Sequence, residues 1–530
     1  MIPRQRASDP DVWLELVAWG LVAFSCLQIL LFSFGRDQGI YAVVADGILH
    51  GKMPYRDLWD FKPPGIFLVY ALAEALLGKS MLAVRAVEVA GLVGMVFAFR
   101  RLGETFTGER RVGLVGGAVA ALTHAQLEFW HTAQPETFGG YLIVLALMLT
   151  TKEPPRRREW VRWAAVGLLF GLAFVLKPPL AGGIVVCAAY FARRRMTERG
   201  RWLAAAEPAA VVALGSLVPI ALCGLWFWVA GAWRDLVWTF FEFTPGYTRT
   251  TSGLWSPSEA FYYALQEAFF RFTPLSAFGV IAAISTRPMH SREREGLFVL
   301  LGVVSINLAG VVVQAKFFQY HYAATLPLIA FVAGLGYYKL WRRCIAAGIG
   351  SVLAFVAFTL VALSMRTLVH DLGTSFWDRS LKRMAHPFAH DLDRELWSVA
   401  DYNLGADRDV ALEVRSRVPA GGHVLVWGFE PVIYWLAERQ PATRFLYDVP
   451  QRAEWQRARA RELMMSDLRR NPPALIVVQH GDRFRWVTGD DFDSAQALGD
   501  FPELRHLIDS SYQHAGSVED FDLYEKRPGL

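Results

Sequence analysis

Cysteine is nearly missing from this chain, with four among 530 residues. Cys26, Cys187, Cys223 and Cys344 all lie in apolar stretches, and none follows residue 344. A disulfide framework and a cysteine-based zinc site in the last third of the chain are therefore excluded. Charge is sparse too: Asp, Glu, Lys and Arg make up 19%, against about a quarter in soluble domains. No glycine-rich phosphate loop follows a strand-like run, so a nucleotide site has no support. No internal repeat of fixed period occurs. No small-residue cleavage site follows the first apolar stretch, which reads as an uncleaved signal anchor.

Apolar residues are abundant instead. They make up 54% of the chain, aromatics 14%, and there are 19 tryptophans; the mean hydropathy is +0.27. Such an excess must face lipid, and the tryptophans suit helices anchored at membrane interfaces. A span needs about 20 mostly apolar residues. Stretches 12–34, 81–99, 112–129, 137–150, 160–176 and 180–192 qualify, some of them short. So do 209–230, 272–284, 297–313, 322–338 and 344–364. The expectation is a polytopic α-helical membrane protein of about eleven spans. Stretch 65–77, interrupted by Glu74 and preceded by Pro63-Pro64, reads as an interfacial helix.

Alternate connections are basic: Arg100-Arg101 with Arg110-Arg111, Lys152 with Arg156–Arg158, and Arg193–Arg195 with Arg199 and Arg201. Arg287 with Arg292 and Arg294, and Lys339 with Arg342-Arg343, continue the series. The positive-inside rule places these loops and the N-terminus in the cytoplasm and the tail from about His370 outside. The localisation implied is the cytoplasmic (inner) membrane. Two domains are expected, a membrane domain over 1–369 with external loop 35–80, and an extracytoplasmic domain over 370–530. From Asp401 onward, strand-like runs at 423–427 and 474–479 alternate with helical patterns at 432–438 and 452–469. That pattern reads as a small soluble α/β domain, with 512–526 as an edge hairpin. Residues 247–258, rich in Thr, Ser and Gly, read as a long external loop and a candidate lid.

Chemistry-bearing residues gather in the external loops. Arg36-Asp37-Gln38 follows the first span, and an amphipathic stretch leads to Pro54-Tyr55-Arg56-Asp57-Leu58-Trp59-Asp60-Phe61-Lys62-Pro63-Pro64. A carboxylate at the lip of a span is costly unless paired or used. Asp37 is therefore a catalytic candidate, or else a helix cap or a partner for Arg36. Glu136 opens the fourth span, expected at the same depth as Asp37. Lys316, His321 and Tyr322 form a cationic, aromatic cluster suited to a phosphate headgroup, or an ordinary interfacial belt. Lys177, at the outer end of the fifth span, is a further cation or a snorkelling side chain.

In this order, Asp37, Pro54-Tyr55-Arg56-Asp57, Lys62-Pro63-Pro64, Arg85, Glu136 and Lys316…His321-Tyr322…Pro327 resemble the C-type (GT-C) membrane glycosyltransferases. The similarity is to the bacterial branch akin to protein O-mannosyltransferases and the lipid A aminoarabinose transferase, over about 12–338. The resemblance implies an inverting transfer of a sugar from a polyprenyl-phosphate-linked donor to a glycolipid, polysaccharide or protein acceptor. It places the catalytic acids on Asp37 and Glu136. Lys62, Arg85, Lys177, Lys316, His321 and Tyr322 would meet the donor's phosphate and lipid. Tyr55, Arg56, Asp57 and Asp60 would shape the loop or the acceptor site. Many relatives carry Asp-Glu where this chain has Asp37-Gln38, so the base is kept and a neighbouring carboxylate is lost. Neither a cofactor nor a resident metal is expected, and no nucleic acid partner. The alternative is a transporter or flippase of a lipid-linked saccharide, although transporters place their ionisable groups near the midplane.

Overall fold

In a computed structural model, the described residues are 10–151, 158–200, 202–252, 254–271, 274–286, 291–364, 376–387, 389–395 and 402–528. Lys152, Arg156, Arg157, Arg201, Arg287, His370 and Asp401, which entered the orientation and domain readings, lie outside them. The chain divides into two compact units, Met1–Phe32 with Val84–Cys223 and Pro257–Pro387, and Ser33–Ala83 with Gly224–Ser256 and Phe388–Leu530. The second unit thus takes in the first long loop and the 224–256 segment as well as the tail.

The first unit is helical. Among the described residues, five helices are long and apolar enough to cross a membrane: Pro10–Leu30, Met81–Thr107, Glu159–Leu176, Leu203–Val229 and Ser291–Gln314. Pro135–Thr151, Pro274–Ser285 and Ile349–Ser364 are apolar but shorter, as is Pro64–Leu77 in the second unit. At about 1.5 Å per residue, the 14 residues of Pro64–Leu77 fall well short of a bilayer core. Small residues let backbones meet where helices cross. A Cβ on Gly334 would stand 2.2 Å from Gly116 N, and one on Gly336 would stand 1.9 Å from Gly279 O. Close approach of this kind drives helix association where lipid is as apolar as the helices themselves. Buried Asp11 gathers Arg111 (2.9 Å), Arg342 (2.9 Å) and the Trp341 indole (3.0 Å).

The second unit is built on a five-stranded sheet of order β2-β1-β3-β5-β4, with β1 His423–Trp427, β2 Gln440–Pro441, β3 Leu475–Gln479, β4 Tyr512–Val518 and β5 Phe521–Lys526. β1 pairs in parallel with β2 and β3, while β3–β5 and β5–β4 are antiparallel. HVLVW and LIVVQ are β-branched-rich and almost wholly buried, as central parallel strands must be. The hairpin expected over 512–526 forms, with β4 at the sheet edge.

Two expectations are corrected. The first helix ends at Leu30, not at residue 34, and a new helix, Arg36–Leu49, starts after an extended turn. Gly35 is its N-cap, and the Gly35 N–H donates to Gln38 Oε1 at 3.0 Å, which fixes that start. The supposed lid at 247–258 is mostly helix, within Thr244–Ser252 and Pro257–Arg271. Thr248 Oγ1 donates to Thr244 O at 3.1 Å, so hydroxyls that suggested a loop bond back along the helix. Trp455 Nε1 donates to Phe243 O at 3.0 Å and holds the segment's start.

Candidate functional site

Asp37 occupies the first turn of Arg36–Leu49, where the helix dipole favours a carboxylate. Its Oδ2 is 3.4 Å from Lys62 Nζ, and its side chain keeps 19% exposure. Arg36 reaches a different carboxylate. The Arg36 guanidinium donates instead to Glu430 Oε1 at 2.8 and 3.0 Å and stacks over Phe484 at 4.3 Å. Lys62 reaches Asp37 because its own turn is fixed. Tyr55 takes φ +69°, its N–H donates to Leu58 O at 2.7 Å, and its hydroxyl donates to Lys62 O at 2.7 Å.

Asp60 lies behind this pair, fully buried. Tyr447 Oη donates to Asp60 Oδ1 at 2.5 Å, and the Lys62 N–H donates to Oδ2 at 3.3 Å. Burial pushes the Asp60 carboxyl upward, with Lys62 opposing. Tyr247 stacks on Phe61 at 4.5 Å, and its phenol is raised by burial and then by the negative charge of Asp37 and Asp60. Arg56 and Asp57 close on each other at 2.7 Å, and Asp57 Oδ2 accepts the Met53 N–H at 2.8 Å. They and Tyr55 hold the loop. Trp59, fully buried, locks it down through Arg444 O (2.7 Å) and Thr239 Oγ1 (3.1 Å).

In the other unit, Glu136 starts the helix Pro135–Thr151 and is only 1% exposed. Lys177 Nζ donates to its Oε1, and His321 Nε2 stands 3.9 Å away. Lys177 also faces the Tyr320 ring at 5.7 Å, which packs against His321 at 4.7 Å. His321 is thus grouped with Glu136, Lys177 and Tyr320 around a carboxylate. Lys316 sits between Ala315 and Phe317, both at φ +51°, a conformation that costs non-glycine residues free energy and often marks a working loop. Burial lowers the Lys316 ammonium to about 7. Tyr322 is fully buried, and its hydroxyl donates to Ala264 O at 3.3 Å.

Arg85 is placed inside the helical unit with no exposed surface. It donates to Glu88 Oε2 (2.9 Å), Thr132 Oγ1 (3.0 Å), Phe129 O (2.8 Å) and Phe32 O (3.3 Å). Glu88 Oε1 in turn meets His124 Nε2 at 2.8 Å and accepts the Ala133 N–H at 2.7 Å. Arg85 thus positions the loop that carries Glu136, and its guanidinium serves protein groups. Glu88 and His124 escaped sequence reading, as did Tyr447, which sits 387 residues from Asp60. Among the described residues, no group of three or more His, Cys, Asp and Glu could hold a metal ion.

Residues 61–228 match the family model described as dolichyl-phosphate-mannose-protein mannosyltransferase. Among solved structures, ArnT from Cupriavidus metallidurans bound to undecaprenyl phosphate aligns with a TM-score of 0.59 at 13% identity, covering 98% of this chain and 99% of that one. Its apo state aligns with a TM-score of 0.56 at 12% identity, covering 97% and 98%. No curated protein matches the sequence. The chain therefore shares the ArnT fold along nearly its whole length, and it resembles the GT-C proteins related to ArnT and the protein mannosyltransferases.

Proposed function

We propose that the chain is an inverting glycosyltransferase that moves a sugar from a polyprenyl-phosphate-linked donor to an acceptor hydroxyl on the outer face of the cytoplasmic membrane. The observation that carries this reading is the setting of Asp37. Its carboxylate, in the first turn of Arg36–Leu49, is held at 3.4 Å by Lys62 from a loop braced by Tyr55 and Trp59, yet remains partly exposed. Such a carboxylate can accept the proton of an acceptor hydroxyl. The acceptor oxygen then bonds to the anomeric carbon from the face opposite the lipid phosphate. The bond from that carbon to the phosphate oxygen breaks, and its electron pair leaves with the polyprenyl phosphate. Cations at the donor's phosphate stabilise the charge that develops there.

The test is transfer of labelled sugar from a panel of polyprenyl-phosphate sugars to extracted envelope lipids, polysaccharide and protein by the purified chain. Wild type should use at least one donor, and Asp37→Asn should not. Transfer by the variant within a fewfold of wild type would remove Asp37 from the chemistry. The sidedness has its own check. A reporter that works only outside the cytoplasm should be active when fused after Leu530 and silent after Arg195. The opposite result would reverse the orientation.

A further inference from the structure

The tail's sheet has a feature that sugar transfer at Asp37 does not use. From β1 the chain passes to β2 on one side, then through the helix Arg457–Arg470 to β3 on the other. The gap between β1 and β3 is thus a topological switch point, and open α/β sheets bind ligands beyond the carboxyl ends of the strands there. A cavity of about 480 Å³ lies at that place, within the usual size range of small-molecule sites. Glu430, just after β1, and Gln479 to Asp482, at and after the end of β3, line it together with Arg36, Tyr402 and Asp520.

The lining selects against several ligand classes. Glu430, Asp482, Glu519 and Asp520 outnumber Arg36 and Arg394, and both arginines are engaged, at 2.8 Å by Glu430 and 2.9 Å by Glu519. A phosphate or nucleotide would meet excess negative charge. An apolar chain would strand the polar groups. Among the described residues no metal-binding cluster occurs. Glu430 is 2% exposed; Arg36 bonds its Oε1, the Gln479 side chain also draws on the carboxylate, and its Oε2 is buried without a well-formed hydrogen bond, a state that costs free energy until a donor arrives. Burial raises Glu430 to about 7, against the pull of Arg36. Burial also raises Asp482 to about 7, with the nearby Asp448 adding to it. Such carboxyls can donate as well as accept. The Tyr402 and Phe484 rings add apolar faces.

We infer that this cavity is a saccharide-binding site, taking an uncharged, hydroxyl-rich sugar, and that it is separate from the chemistry at Asp37. Consecutive positions on a helix point about 100° apart, so Arg36 serves the cavity while Asp37 meets Lys62. The site stands whether or not the chain transfers sugar. If it does, the cavity would hold the glycan of an acceptor.

The test uses the full chain in lipid nanodiscs, free of glycoside detergent, with methyl mannoside, methyl glucoside, methyl arabinoside and N-acetylglucosamine followed by saturation-transfer NMR. At least one neutral sugar should bind. Asp520→Asn, at a half-buried position, should weaken binding by about fivefold or more, and Glu430→Gln should do the same. Asp37→Asn should leave that binding intact even where it abolishes transfer. Melting temperatures measured without sugar separate lost binding from lost fold. Three results would each overturn the inference: no neutral sugar binding, binding of glucosamine or glucose 1-phosphate alone, or binding that Asp37→Asn removes and Asp520→Asn spares.

Discussion

Asp37 and Glu136 invite comparison because the sequence offers them as equals, two external carboxylates at helix starts, yet their settings differ. Glu136 is 1% exposed and bound by Lys177, with His321 near. Asp37 is 19% exposed and meets Lys62 at 3.4 Å. A buried pair is expensive to break, because the survivor is left as an uncompensated charge. A partly exposed pair can open toward a substrate at small cost. Burial therefore separates the two acids into a group suited to reaction and a group suited to holding its surroundings.

The largest effect should come from Asp37→Asn. Loss of a general base typically lowers the rate by about two to four orders of magnitude. Single-turnover transfer should show that loss while the melting temperature and donor binding stay near wild type. Unfolding of the variant would erase the distinction from Glu136.

Glu136→Gln should behave in the opposite way. Neutralising Glu136, 1% exposed beside Lys177, should cost about 3 kcal/mol, read as a lower melting temperature in detergent. The double variant Glu136→Leu with Lys177→Met should recover most of that stability, since a buried ion pair replaced by apolar groups is often neutral. If the double variant also regained transfer, Glu136 would have no chemical part. If it were stable but inactive, the second acid would take part in the reaction.

Lys316→Ala should weaken donor binding by about thirtyfold, or about 2 kcal/mol, the worth of a charge-assisted contact to phosphate. The sign of its pH dependence follows from burial. Because the ammonium is pushed down to about 7, it is charged below that value and neutral above it. Donor affinity should therefore fall as pH rises through 7, and Lys316→Arg should flatten the profile. A flat wild-type profile would place the phosphate elsewhere, with Lys62 the next cation to test.

The smallest effect concerns Gln38. Its Oε1 caps Gly35 at 3.0 Å, so Gln38→Ala should cost about 1 kcal/mol of stability and leave transfer within a fewfold. A much larger loss of transfer would mean that Asp37 depends on that cap for its position.

How much of this was legible in the sequence depends on the range of each interaction. The helices, β1, β3 and the β4–β5 hairpin follow from periodicity in neighbouring residues, and the structure contains them. The GT-C resemblance rested on the loop-one string, and the shared fold agrees with it. The lid at 247–258 was misread because Thr and Ser favour loops locally but here bond within a helix. The end of the first helix was misplaced by four residues because apolarity continues past Leu30 while the backbone turns at Gly35. The resemblance put Arg85 at the donor's phosphate, and no local signal announces its bonds to Phe129 O and Thr132 Oγ1.

The sequence by itself determined that the chain is rich enough in apolar helix to enter a membrane, that its tail is an α/β domain, and where its chemically capable loops lie. Those properties depend on composition and on spacings of two to four residues. Tertiary structure alone decided which cation meets which carboxylate: Lys62 with Asp37, Lys177 with Glu136, Arg36 with Glu430. It also decided that Asp60 is buried beneath Tyr447 and that a polar cavity opens between β1 and β3. The physical reason is that charge pairing and desolvation act through space over a few ångströms, between residues separated by up to hundreds of positions in the chain.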